Sequence, residues 1–146
     1  MEAIKDIIDI DYATDVRKSR RKTGLKTQEF FTPYSIIERM MDKVDEATWA
    51  DPTKTFIDPC FGNGNILLGI LHRRIYEYHI PWQAALRTLY GVELMQDNVD
   101  ECKQRICSLL KDLEGFDEQT ARYIMDKNLV CADFFKWDFE HWKPIE

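Results

Sequence analysis

The chain has 146 residues, about one domain by length, with 45% hydrophobic and 32% charged residues. That balance excludes a disordered polypeptide, and no stretch approaches the ~20 apolar residues of a helical membrane span. A net charge of −6 disfavours non-specific nucleic-acid binding by the surface as a whole.

The first ten residues include Glu2, Lys5, Asp6 and Asp9, which do not suit the uncharged core of a secretory signal. Ile4, Ile7, Ile8 and Ile10 predict a short helix there. Arg17, Lys18, Arg20, Arg21, Lys22 and Lys26 then form a basic run with no acid inside it. Such a run is either a solvated arm or a phosphate-contacting one. Residues 1–28 therefore read as an N-terminal helix and basic arm, with DNA a candidate partner of positions 17–26. Next, Thr32 suits a helix N-cap and Pro33 the first helical position. Ile36, Ile37, Met40, Met41 and Val44 give that helix one apolar face.

From Thr55 the pattern alternates between strand and helix. Thr55–Asp58 reads as a strand, Ile66 to Tyr78 as a helix, and Trp82–Thr88 as a further helical turn or two. Leu89–Glu93 is a second strand. Val99, Cys102, Ile106, Leu109, Leu110 and Leu113 mark a long amphipathic helix. Asp117 suits the cap of another helix through Met125, and Asn128–Cys131 is a third strand. Alternation of this kind predicts an α/β layer with three parallel strands and flanking helices. Cys60, Cys102, Cys107 and Cys131 contain no Cys-x-x-Cys pair, which argues against a disulfide or zinc framework. Reduced thiols fit a cytoplasmic location.

Each strand ends in an acid: Asp58, Glu93 and Asp133. Ligands of open parallel sheets bind outside the carboxyl ends of the strands. The first end continues into Asp58-Pro59-Cys60-Phe61-Gly62-Asn63-Gly64-Asn65. Its glycines permit unusual backbone angles, and the helix that follows offers free N–H groups to an anion. A dinucleotide fingerprint would place a third glycine where Leu67 stands, and the interval to Glu93 exceeds the ~20 residues of that fingerprint. No Gly-Lys-Ser/Thr follows, so there is no P-loop. A carboxylate at Glu93 can accept both hydroxyls of a ribose. Asp133 can accept from an adenine amino group, with Phe134 over the ring face. In the aromatic run that follows, Phe135 and Trp137 read as core or interface.

Four segments occur in order and spacing: Phe30-Phe31-Thr32-Pro33-Tyr34, Asp58-Pro59-Cys60-Phe61-Gly62-Asn63-Gly64, Gly91-Val92-Glu93, and Cys131-Ala132-Asp133-Phe134-Phe135. Over residues 28–140 the chain resembles the S-adenosylmethionine-binding half of adenine-N6 DNA methyltransferases of restriction–modification systems. It is also similar to short methylase-like proteins of bacterial viruses. The resemblance implies a partial Rossmann-like class I methyltransferase fold, with residues 29–146 a truncated cofactor-binding domain. It implies that Phe31, Thr32 and Pro33 meet the methionine end of S-adenosyl-L-methionine. Asp58, Gly62 and Gly64 would form the floor under the amino-acid portion, and Pro59, Cys60 and Asn65 of the same turn would belong to the cofactor-binding set. Glu93 would hold the ribose and Asp133 the adenine amino group. Phe134 would stack on the ring and Leu94 would line its other side.

The family's catalytic Asn-Pro-Pro-Tyr does not occur. The prolines are Pro33, Pro52, Pro59, Pro81 and Pro144, and none follows Asn. In that motif the Asn side chain and a proline carbonyl hold the target amino group, and the aromatic ring stacks on the extruded base. The motif would lie on a fourth strand beside the first. Three strands in the order 3-2-1 therefore leave the first as an open edge. Two expectations follow for that edge: pairing with a second copy or a second methyltransferase subunit, or cover by the helix from Pro33 or the aromatic tail. Two functions follow as well. One is the cofactor-binding portion of a DNA adenine methyltransferase whose catalytic motif another chain supplies. The other is a catalytically inactive module that binds the cofactor or engages a restriction–modification system.

Overall fold

The computed structural model describes residues 4–9 and 31–146. The basic run and Phe30 lie outside the described residues. The described chain is a mixed α/β unit around a three-stranded parallel sheet, in the order β1 (Phe56–Asp58), β2 (Leu89–Glu93), β3 (Leu129–Cys131). Asp58 lies opposite Gly91, and Glu93 lies opposite Cys131. Among the described residues, β2 is the central strand and no strand pairs with the outer edge of β1. Ile57 on that edge is 49% exposed.

The helices are α1 (Ile4–Ile8), α2 (Tyr34–Met41), α3 (Glu46–Ala50), α4 (Asn65–His72), α5 (Trp82–Arg87), α6 (Gln96–Leu110) and α7 (Glu118–Asn128). Leu67, Leu68, Leu71, Leu89, Ile106, Leu110, Met125 and Leu129 join in one buried core. Strand residues alternate between faces. Leu89 and Leu129 therefore face this helical core, while Tyr90 faces the opposite side. There its ring meets Trp142 edge-on, with centroids 5.0 Å apart. Trp142 also contacts Trp137 and Phe139, and its indole N–H donates to the Lys127 carbonyl at 2.7 Å. The aromatic tail, with its two-residue ladder of Trp137–Asp138 against Lys143–Pro144, thus packs on the second face of the sheet. Among the described residues it does not pair with the edge of β1.

Several boundaries differ from the sequence reading, each for a physical reason. Helix α2 starts at Tyr34, and Pro33 rather than Thr32 is the cap residue, with extended backbone and no capping side chain of its own. The acceptor for the Tyr34 N–H is Asp9 Oδ1, at 2.8 Å, from 25 residues earlier. Helix α3 was not anticipated. Asp45 caps it by accepting from Thr48, and it buries Trp49. The helix read to Tyr78 is α-helical only to His72 and continues as a π-helical turn over Arg73–Glu77. That turn contains Arg74, a fully buried arginine. Its guanidinium donates to Thr88 Oγ1 and the Asp51 carbonyl at 2.7 and 2.6 Å, beneath the Phe56 ring. It ties together the entries to β1 and β2. Asp117 caps α7 as its sequence predicts. Phe135, read as core or interface, is 83% exposed and is not core. Its N–H is held by Asp133 Oδ1, which fixes a tight turn and points the ring outward.

All four cysteines are free thiols, and no group of metal-binding side chains occurs among the described residues. No described helix is long and apolar enough to cross a membrane.

Candidate site at the carboxyl ends of the strands

The turn after β1 is built by two glycines with positive φ, Gly62 at 58° and Gly64 at 95°. Gly64 is the cap residue of α4 and lies against α6. A Cβ placed there would sit 2.3 Å from Cys102 Sγ. No other residue combines that angle with that approach. A Cβ on Gly62 would instead meet the Phe31 ring at 3.4 Å. The turn therefore lies between the aromatic residue of the Phe-Thr-Pro segment on one side and helix α6 on the other.

Asp58 and Glu93 end adjacent strands on the same side of the sheet, and their environments diverge. Asp58 is 9% exposed. Its Oδ1 accepts the Cys60 N–H at 3.1 Å, while its Oδ2 is buried without a partner. Burial, with a smaller effect from the Glu93 charge, pushes its carboxyl above the ordinary range against the pull of the Cys60 bond. In the same turn, Asn63 Oδ1 is also buried and unpartnered. Two buried acceptors without donors are a costly arrangement that a ligand with N–H donors relieves.

Glu93 is already engaged. Its Oε1 accepts from Gly62 N at 3.1 Å. Its Oε2 accepts from Met95 N at 2.9 Å and Asn98 Nδ2 at 3.1 Å. A carboxylate has about four acceptor positions. Three donors from the protein leave it roughly one, where holding both ribose hydroxyls calls for two. In this state Glu93 binds the glycine turn to the start of α6.

Asn65, at the first position of α4, is buried and aims at the Phe-Thr-Pro segment. Its Nδ2 donates to the Thr32 carbonyl at 2.9 Å. Thus Phe31, Thr32, Asp58, Gly62, Gly64, Asn65 and Glu93 form one contiguous cluster. Pro59 and Cys60 are exposed members of the same turn. Partial desolvation of its sulfur raises the Cys60 thiol, helped by the charges of Asp58 and then Glu93. It is therefore not poised as a thiolate nucleophile.

The third strand end is more distant in character. The Ala132 N–H donates to the Glu93 carbonyl at 2.9 Å, which brings Asp133 to the same edge of the sheet. The Asp133 carboxylate is occupied with its own turn, however. Phe134 lies against Phe135 and Phe139, at 5.1 and 5.3 Å, and Leu94 is exposed. The residue that sequence reasoning missed is Arg105 on α6. Its Nη1 donates to the Asn63 carbonyl at 3.0 Å and to Asn65 Oδ1 at 2.7 Å, and its Nη2 donates to the Ile7 carbonyl at 2.9 Å. In sequence it is one of many polar positions on an amphipathic helix, with nothing to mark it.

No protein-family model, no curated protein and no solved structure matches the chain.

Proposed function

We propose that the glycine turn and the strand ends around Asp58 bind S-adenosyl-L-methionine. The chain would then be the cofactor-binding portion of a DNA adenine-N6 methyltransferase with a partial Rossmann-like class I fold. The observation that carries this reading is the unpartnered, buried Asp58 Oδ2 beside the positive-φ glycine turn, with Asn63 Oδ1 unpartnered in the same turn. These acceptors suit the ammonium group of an amino-acid moiety. The Phe31–Pro33 segment lies on the same turn, where a methionine end would lie. When bound, the cofactor supplies an electrophilic methyl group. The residues of this chain orient it: Asp58 and Asn63 by accepting, Gly62 and Gly64 by letting the backbone approach. On this reading Glu93, Asp133, Phe134 and Leu94 would serve the nucleoside end.

The groups that hold the target amine are assigned to a second methyltransferase subunit, docked on the open edge of β1 beside exposed Ile57. The basic run at 17–26 is assigned to DNA phosphates. Replacing Arg17, Lys18, Arg20, Arg21 and Lys22 by Ala should flatten the dependence of DNA affinity on salt. An unchanged slope refutes that contact.

A second reading is favoured by the absent Asn-Pro-Pro-Tyr, and the engagement of Glu93 by three protein donors adds to it. On this reading the chain is a catalytically inactive methyltransferase-like module. Calorimetric titration with S-adenosylmethionine tests the common part. Saturable binding by the wild type, lost in Asp58→Ala, is the expected result. No binding by a well-folded protein removes the cofactor reading. Glu93→Gln tests the ribose contact: lost affinity with an unchanged fold supports it, and unchanged affinity supports a purely structural Glu93.

A further inference from the structure

We propose that Arg105 is a positioning residue for this site, setting the glycine turn and the Phe-Thr-Pro segment in one geometry from helix α6, which backs the turn. The inference rests on the cofactor reading above for its functional consequence, and on hydrogen-bond geometry for its substance. Arginine only donates, and the Thr32 carbonyl only accepts. The Asn65 amide between them therefore has one orientation, with oxygen toward Arg105 and nitrogen toward Thr32. The guanidinium thus acts through Asn65 on the Thr32 backbone. Arg105 Nη1 also donates to the Asn63 carbonyl, within the turn built on the two positive-φ glycines. Its second arm reaches the Ile7 carbonyl of α1, and Asp9, two residues on, caps α2 just after Pro33. One planar fork therefore joins three segments that are far apart in sequence. Removing it leaves buried acceptors in the turn without their donor and frees Asn65 to rotate.

The test uses the full chain, with calorimetry against S-adenosylmethionine and amide hydrogen exchange, on wild type, Arg105→Ala, Asn65→Ala, the double variant and Arg105→Lys. Each Ala variant is expected to weaken binding at least about tenfold, a change of ~1.4 kcal/mol. The double variant is expected to be no worse than the weaker single one, because the two residues act in series. Arg105→Lys, which can still donate to the Asn63–Asn65 pair, should recover most of the affinity. In the unliganded protein, Arg105→Ala should speed exchange over residues 61–68 and 34–37 and leave Trp82–Arg87 unchanged. Equal binding by folded Arg105→Ala, additive losses in the double variant, or unchanged exchange over 34–37 would each overturn the proposal. If the wild type itself does not bind, the cofactor reading fails, while the exchange data still decide whether Arg105 positions the two segments.

Discussion

The ends of β1 and β2 carry the same signal in sequence, an acid closing a strand, and the fold uses them in opposite ways. At β1 the Asp58 carboxylate is buried with one oxygen unpartnered and its pKa raised. At β2 the Glu93 carboxylate accepts three donors and binds the glycine turn to α6. The first is a group held at a cost to the fold. The second is part of what holds the fold. An acid at a strand end therefore has no single meaning, and its partners decide which kind it is.

The largest expected effect breaks the comparison on the β2 side. Glu93→Ala leaves the Gly62 and Met95 N–H groups and the Asn98 amide without their acceptor, and should destabilise by about 3 kcal/mol in urea unfolding. A loss below about 1 kcal/mol would mean that Glu93 is not the cross-link described. Gly64→Ala attacks the piece the two acids share. The clash with Cys102 and the positive φ should cost about 2 kcal/mol and abolish ligand binding, read by thermal melting and calorimetry.

Asp58→Asn should have the opposite sign. It removes a buried charge with an unpartnered oxygen and should stabilise the free protein by about 1 kcal/mol at pH 7, while weakening S-adenosylmethionine binding. The pH dependence sharpens this. A carboxyl whose folded pKa is raised binds its proton more tightly in the native state. Its contribution is therefore fully present below the ordinary value of 3.8 and is lost as pH rises through the higher folded value. The gap between variant and wild type should thus vanish below pH 3.8 and open above it. A gap that does not depend on pH would refute the raised pKa. The smallest effect belongs to the third acid. Asp133→Ala removes one N–H acceptor from an exposed turn and should cost about 0.5 kcal/mol by urea unfolding.

Much of the architecture was legible in the residues. The alternation of short apolar runs with 3.6-period helices marked all three strands, and Asp117 announced its helix. The glycine spacing after Asp58 marked the turn. Helix α3 was missed because five residues carry too little periodicity, and only the burial of Trp49 and the Asp45 cap sustain it. The start of α2 was displaced because its cap comes from Asp9, a contact that local sequence does not contain.

By itself, then, the sequence determined the class of fold and the place of the candidate site, because hydrophobic period and turn chemistry are local properties. Tertiary structure alone decided what each side chain does there. Only folding brings Gly62, Met95 and Asn98 onto Glu93 while leaving Asp58 Oδ2 bare. Only folding sets Arg105 between Asn63, Asn65 and Ile7. Hydrogen-bond partners and desolvation depend on residues distant in the chain, and those two quantities separate the unpartnered carboxylate from the cross-linking one.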